Sequence, residues 1–478
     1  MEDNLKIKTK KGLYWTFFNQ FANNGLQFIV GVIMARILSP DDYGLTALPA
    51  VFFAVASVFI DSGFSQALVR KADVTEKDLS TSFYYSLIVG LSCFLAIFFC
   101  SPLIADFYNV PILESMIKVT ALTFLWGPLN TPQSVILQRK LDFKTPARIS
   151  VVSKIIGAII GVVFAYLGYG VWALVLMSVL SSFLGFVQTW IAVRWFPRER
   201  WSKDSFKYLW NFGNKIILTF VIDKIYANIA PVLIGKYYSP ADLGQYNRAQ
   251  GYANLPSVQA TSVLQSVSFP VLSKVQGDKE ALAKHYRSMI RTSTYVVMPI
   301  MVCLSALSYP IVVCLVGEKW IPCVAFLQVM CLTRSMYPLH SLNVNLLMVR
   351  GRSDLYLKLE IVKKVIGVLM LAITLPMGLM CLVWGYFFFS IINLFLNTYY
   401  TGKLIKVGLL VQLGDIMHVI LLSATMYLCI SLSIMFIQNL YLQIFVGVFV
   451  GAVVYVGGSK LFKFKEVNDV MYMLNKKI

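Results

Sequence analysis

The stretch that decides the fold is Ser39-Pro40-Asp41-Asp42-Tyr43-Gly44, because it returns 200 residues later as Ser239-Pro240-Ala241-Asp242-Leu243-Gly244. Arg36 falls on Lys236 at the same spacing. A second match runs at a spacing of 210: Pro128-Leu129-Asn130-Thr131 meets Pro338-Leu339-His340-Ser341, and Lys154-Ile155-Ile156-Gly157 meets Lys364-Val365-Ile366-Gly367. This register pairs Lys154 with Lys364 but Arg334 with Phe124.

The repeat sits in a very apolar chain. Hydrophobic residues make up 58% of its 478 positions and mean hydropathy is +0.70, well above a soluble domain. A repeat in such a chain marks a two-lobed transporter with its substrate site between the lobes. The N-terminal apolar segment is too long for a signal peptide and lacks a cleavage site. The net charge of +19 is spread over many short loops, which argues against nucleic acid. The eight cysteines lie mostly in apolar runs without a C-x-x-C pair and read as buried structural thiols. The histidines have no metal-ligand spacing, and no metal site is expected.

A spanning helix needs about 20 mostly apolar residues. Fourteen candidates meet or approach that rule, near 13–36, 43–69, 80–104, 113–138, 149–167, 170–193, 208–234, 243–272, 292–316, 322–349, 357–376, 381–402, 413–437 and 441–461. They are called helices 1–14 below. Helices 1, 7 and 8 are the most polar. Lys and Arg concentrate in the two tails and the even-numbered loops, which by the positive-inside rule puts both termini in the cytoplasm. Helices 1–6 then correspond to helices 7–12, and an even number gives both copies one orientation, a parallel repeat. The expected fold is therefore an all-α polytopic membrane protein. It has an N-terminal lobe over 1–200 and a C-terminal lobe over 201–403, around a central cavity. Helices 13 and 14 and a cytoplasmic tail follow over 404–478. The loop 273–291 reads as a short amphipathic surface helix.

Polar residues inside the spans nominate the site. Helix 1 carries Thr16, Gln20, Asn23, Asn24 and Gln27 on one face, and helix 8 carries Asn247, Gln250, Asn254, Thr261 and Gln265. Unpaired amides in hydrocarbon cost several kcal/mol, so these stripes line a cavity or bond across helices. Seven intramembrane charges are basic, Lys154, Lys215, Lys224, Arg248, Arg334, Lys363 and Lys364, against two acids, Asp61 and Asp223. Such residues usually face a cavity and act there; those near helix ends can instead snorkel. Lys215 and Lys224 point to opposite faces of a straight helix, so at most one faces the cavity. The cationic excess implies an anionic substrate, and a diphosphate head group matches it.

Several stretches carry a family resemblance. They are Met34-Ala35-Arg36-Ile37-Leu38-Ser39-Pro40-Asp41-Asp42-Tyr43-Gly44, Asp61-Ser62-Gly63-Phe64-Ser65-Gln66-Ala67-Leu68 and Gln138-Arg139-Lys140-Leu141-Asp142-Phe143-Lys144. The second half adds Leu243-Gly244-Gln245-Tyr246-Asn247-Arg248-Ala249, Phe269-Pro270-Val271-Leu272-Ser273-Lys274 and Gly351-Arg352-Ser353-Asp354. Over nearly its whole length the chain resembles the polysaccharide transporters of the MOP flippase superfamily, the Wzx/TuaB-like lipopolysaccharide and exopolysaccharide flippases. The resemblance implies movement of an undecaprenyl-pyrophosphate-linked oligosaccharide to the outer leaflet of a bacterial inner membrane. The implied mechanism is alternating access driven by an ion gradient, H+ or Na+, without other cofactor. A polysaccharide polymerase and its chain-length machinery are the expected partners. One departure concerns helix 7, where the acid is Asp223 and Ala230 stands near the place of the usual acid.

In this reading Lys154 and Lys364 receive the pyrophosphate, Arg334 with Lys215 holds it deeper in, Arg248 near the outer end of helix 8 is a further cavity cation, and the helix 1 and helix 8 amides contact sugar hydroxyls. Asp61 and Asp223 are the coupling or gating acids. No enzymatic activity is expected. The rivals are a MATE-type multidrug antiporter, for which the opposite charge balance is expected, and a membrane glycosyltransferase, for which the outer loops are too short. Asp42 and Asp242 are expected to cap the helices that follow them.

Overall fold

A computed structural model describes residues 2–61 and 63–467; the side chains of residues 2–11, 13, 61, 212–216 and 263–271 fall outside that description. The described residues contain helices and no strands. Each of the fourteen expected helices has a helical counterpart, and ten are long and apolar enough to cross a membrane. Helices 1, 8, 10 and 11 fall below that mark. Helices 1 and 8 carry the amide stripes, helix 10 is broken, and helix 11 bears Lys358, Glu360, Lys363 and Lys364. The protein is a multi-pass membrane protein.

Most helices outrun their apolar segments. Helix 1 occupies Glu2–Ile37, helix 7 Lys203–Tyr237 and helix 8 Pro240–Lys274. The expected separate surface helix at 273–291 is instead the first part of helix 9, Lys279–Ala306. Asp278 caps it, its carboxylate accepting from the N–H groups of Glu280 and Ala281 at 2.9 and 3.1 Å. The side chains expected on its apolar face, Leu282 and Tyr286, are fully buried together with Ile290. Two helices are interrupted at corresponding places. Helix 4 comprises Ile112–Ala121, Thr123–Trp126, a 3-10 turn Pro128–Asn130, and Thr131–Arg139. Helix 10 comprises Pro322–Ser335 and Tyr337–Val349. Both breaks fall at the repeated Pro-Leu motif, where proline cannot donate to the preceding turn.

The chain forms two compact units, Met1–Gly244 and Gln245–Ile478. In the first, helix 1 lies along helix 5, Lys144–Tyr166, and helix 5 along helix 6, Val171–Val193. Gly157 and Gly161 make the second approach close: a Cβ on Gly161 would sit 2.8 Å from Met177 Cβ, and one on Gly157 2.9 Å from the Met177 carbonyl. Small residues four apart are how spanning helices bring backbones together. Helix 7 packs on the middle piece of helix 2, Ala50–Asp61.

The first unit also contains both copies of the opening motif. Asp42 and Ser39 form a capping box, with Ser39 N–H donating to Asp42 Oδ2 at 2.9 Å and Asp42 N–H to Ser39 Oγ at 3.2 Å. Ser239 and Asp242 repeat it at 3.2 and 3.1 Å. The expected capping role of both aspartates is present. The two motifs also touch, backbone on backbone. A Cβ on Gly44 would overlap the Pro240 carbonyl, and one on Gly244 would overlap the Pro40 carbonyl. The contact is reciprocal, each glycine facing the other copy's proline.

In the second unit, helix 9 packs on helix 13, Leu409–Met435, and helix 13 on helix 14, Leu440–Leu461. Arg287 holds the nearly buried Asp415 through two 2.7 Å bonds. The cysteines are all free, and only Cys323 and Cys331 are buried; Cys100 is exposed. The reading of the cysteines as buried thiols holds fully for those two, because a weakly polar thiol on a spanning helix can face hydrocarbon as easily as a core.

Candidate functional site

The break in helix 10 sets out three polar residues along one stretch of the second unit. Arg334 lies before it, His340 and Asn343 after it. The Arg334 guanidinium lies 5.6 Å from the Tyr337 ring centroid and within electrostatic reach of Tyr246 on helix 8. Arg248, two residues beyond Tyr246, stacks its guanidinium 5.1 Å from Trp320 and 5.6 Å from Tyr252. Aromatic faces hold a guanidinium through the ring quadrupole, most strongly where water is excluded, and Trp320 is fully buried. Gln245 fixes the start of helix 8 to the turn carrying Trp320, donating to the Lys319 carbonyl at 2.8 Å.

His340 completes the group. Its Nε2 faces Ser390 Oγ at 2.8 Å, and Asn397 Nδ2 faces its Nδ1 at 3.2 Å. Both bonds are satisfied by the neutral tautomer protonated on Nε2. Lys363 and Arg334 are its charged neighbours, and Lys363 is itself paired with Glu360 one turn earlier. His340 was passed over in the sequence because only metal spacing was asked of it. Its position inside the repeated Pro-Leu-x-Ser/Thr motif was the available signal. Asn343 donates to Gln412 Oε1 at 2.9 Å and accepts from Gln412 Nε2 at 3.0 Å and Thr401 Oγ1 at 2.6 Å.

The other nominated residues are more scattered. Lys154 is exposed on helix 5, and Lys364 is half-buried with an interaction partner. In helix 1, Gln20 and Gln27 are exposed, Asn24 is half-buried, and Asn23 accepts from Ser150 of helix 5 at 2.9 Å. That part of the stripe therefore bonds across helices. In helix 8, Asn247 and Asn254 are half-buried, and Asn254 Oδ1 is a buried acceptor with no hydrogen-bond donor. Asp223 is exposed and engaged. The side chains of Lys215, Asp61 and Gln265 lie outside the described residues. The structure thus sets Arg334 beside Tyr337 and within reach of Tyr246 and His340, and sets Arg248 separately against Tyr252 and Trp320. No group of three metal-ligating side chains occurs among the described residues. The chemistry suits an anion: each guanidinium offers a planar fork for phosphate oxygens, and the neighbouring phenols offer single hydrogen bonds.

Comparison with known proteins agrees with this architecture. The teichuronic acid biosynthesis protein TuaB of Bacillus subtilis is 24% identical over 424 residues, 87% of this chain and 86% of its own. The lipopolysaccharide biosynthesis protein WzxC of Escherichia coli is 23% identical over 400 residues, 82% and 80% of the two chains. Among solved structures, the lipid II flippase MurJ in an inward closed conformation superposes with a TM-score of 0.75 at 17% identity, covering 94% of this chain and 98% of that one. An inward-facing MATE family multidrug transporter of the MOP superfamily gives 0.62 at 16% identity, covering 80% and 96%. These likenesses show the fold. Residues 33–325 match the family described as polysaccharide biosynthesis protein, and the chain belongs to that family.

Proposed function

We propose that the chain is a flippase that moves a lipid-linked oligosaccharide, carried on undecaprenyl pyrophosphate, from the cytoplasmic to the outer leaflet of a bacterial inner membrane. Both termini are cytoplasmic in this reading. The observation that carries it is the pairing of Arg248 and Arg334 with aromatic and imidazole neighbours inside an apolar helical protein. A guanidinium at membrane depth costs several kcal/mol unless it has work to do. The relatives named for teichuronic acid and lipopolysaccharide biosynthesis supply the substrate class.

Lys154 and Lys364, register mates in the two copies, are the proposed first contacts for the pyrophosphate. Arg334, with Lys215, is the deeper one, Arg248 is a further contact near the outer end of helix 8, and the helix 1 and helix 8 amides serve the sugar. The repeat lobes, 1–200 and 201–403, alternate access, coupled to H+ or Na+ through Asp61 or Asp223. A polysaccharide polymerase then consumes the product. The cationic site disfavours an exporter of organic cations, although the MATE fold is shared.

The test is the Lys154→Gln, Lys364→Gln double variant in a strain lacking the chromosomal copy. Lipid-linked repeat units should accumulate on the cytoplasmic leaflet while the protein remains in the membrane at normal level. Full polysaccharide display by that strain would overturn the assignment.

A further inference from the structure

The connection between helices 6 and 7 is fastened down along its length. Helix 6 ends where Arg194 turns left-handed, its N–H donating to the Trp190 carbonyl at 3.0 Å. From there the chain crosses the first turns of helix 3, Glu76–Tyr108. Trp195 donates its indole N–H to the Glu76 carboxylate at 3.0 Å. The Glu199 N–H donates to Ser80 Oγ at 3.3 Å, and the Ser202 N–H to Thr81 Oγ1 at 3.1 Å. Ser80 and Thr81 are fully buried. Ser202 then caps helix 7, accepting from the Ser205 N–H at 3.4 Å.

What this strap presents outward is basic and aromatic. Arg198, Arg200, Lys203 and Lys207 are exposed, and no salt bridge among the described residues involves them. Against these four and Arg194 stand two acids, Glu199 and Asp204. Lys203 and Lys207, four apart, share one face of helix 7. Phe196 is 61% exposed, although its ring meets Trp190 edge-on with centroids 5.0 Å apart. Trp201 and Trp210 are each more than a third exposed, and Phe206 stands between them at 4.9 and 5.8 Å. Amphipathic rings of this kind sit at the head-group level of a bilayer. The position agrees: Arg194 follows directly on the apolar segment Val171–Val193, and that of helix 7 does not begin until Ile217. Charge that only orients a spanning helix acts by number and needs no fixed loop, whereas three side-chain bonds to helix 3 hold this one in place. We propose that the strap, residues 194–207, is a docking surface for anionic phospholipid. Arg198, Arg200, Lys203 and Lys207 take the lipid phosphates, and Phe196, Trp201 and Trp210 lie among the upper acyl carbons.

The inference stands apart from the flippase reading, because lipid contact is read without transport. The purified full-length protein is placed in phosphatidylcholine nanodiscs with a fixed minor share of one brominated lipid, and tryptophan quenching is measured. Brominated phosphatidylglycerol should quench about twofold more than brominated phosphatidylcholine, since each basic residue at the surface favours an anionic lipid. High salt, which screens exposed charges, should narrow the gap. The variant Arg198→Gln, Arg200→Gln, Lys203→Gln, Lys207→Gln changes only exposed side chains, is expected to fold, and should lose the gap. Lys274→Gln, Lys279→Gln, Lys284→Gln, Lys358→Gln removes the same charge from other exposed positions and should keep it. Trp201→Phe with Trp210→Phe should remove most of the excess quenching. Equal quenching by the two lipids, or a gap that survives the 198–207 variant, overturns the proposal. So does a gap lost equally in both charge variants, because net charge and not the strap would then be its source. Equal quenching together with binding of polyglutamate would give the surface to a soluble acidic partner instead.

Discussion

The broken segments of helices 4 and 10 descend from one motif and have been finished differently. The register pairs Phe124 with Arg334, Asn130 with His340 and Gln133 with Asn343. In the first unit Phe124 stacks on Phe53 with centroids 5.4 Å apart, and the two amides after it have unpartnered buried atoms. In the second unit Arg334 takes Tyr337, His340 takes Ser390 and Asn397, and Asn343 takes Thr401 and Gln412. Gln412 belongs to helix 13, which lies outside the repeat and has no counterpart in the first half. Helix 13 thus supplies a partner to Asn343 alone of the three register positions, and Ser341 Oγ and Asn397 Oδ1 of the second unit are themselves buried without one.

That contrast can be broken by mutation. Asn343→Leu should be the most damaging change, because it leaves the fully buried Gln412 carbonyl oxygen without its donor and weakens the hold on Thr401. An unmet buried polar group costs about 1–3 kcal/mol, so a loss of about 2–3 kcal/mol is expected in thermal or denaturant unfolding. His340→Leu should cost about 1–2 kcal/mol on the same grounds, since Ser390 and Asn397 each lose a partner. Arg334→Gln should leave stability unchanged or raised, since it relieves a costly intramembrane charge. It should cut flipping of lipid-linked repeat units at least tenfold, about 1.4 kcal/mol of lost stabilisation. Gln133→Leu is the smallest: it should shift stability by less than about 0.5 kcal/mol, because it orphans no other group. Equal destabilisation by Gln133→Leu and Asn343→Leu would erase the distinction between the two breaks.

The all-helical architecture and the order of its helices were legible in the sequence because apolar length is a one-dimensional property. So were the Ser39–Asp42 and Ser239–Asp242 caps, which act over three residues. The start of helix 9 was not, because hydropathy marks where a helix leaves the membrane and says little about where it ends; Asp278 sets that boundary. The partners of Asn343 and His340 lie 50 to 69 residues away, and a repeat register carries no information about groups outside it. Of the nominated cations, Arg334 was singled out by its depth and Arg248 was placed near the outer end of helix 8; the aromatic rings beside them, Trp320 above all, appear only in three dimensions.

The crossing of the two opening motifs has one more consequence. Gly44 and Gly244 each exclude a side chain because of the other copy's proline carbonyl, so they describe a single separation seen from two ends. Once an alanine at either position has forced that separation wider, the second alanine meets space already made. The effects of Gly44→Ala and Gly244→Ala should therefore be strongly non-additive, with a coupling energy approaching the cost of one substitution. Two positions 200 residues apart in the chain behave, for mutation, as one.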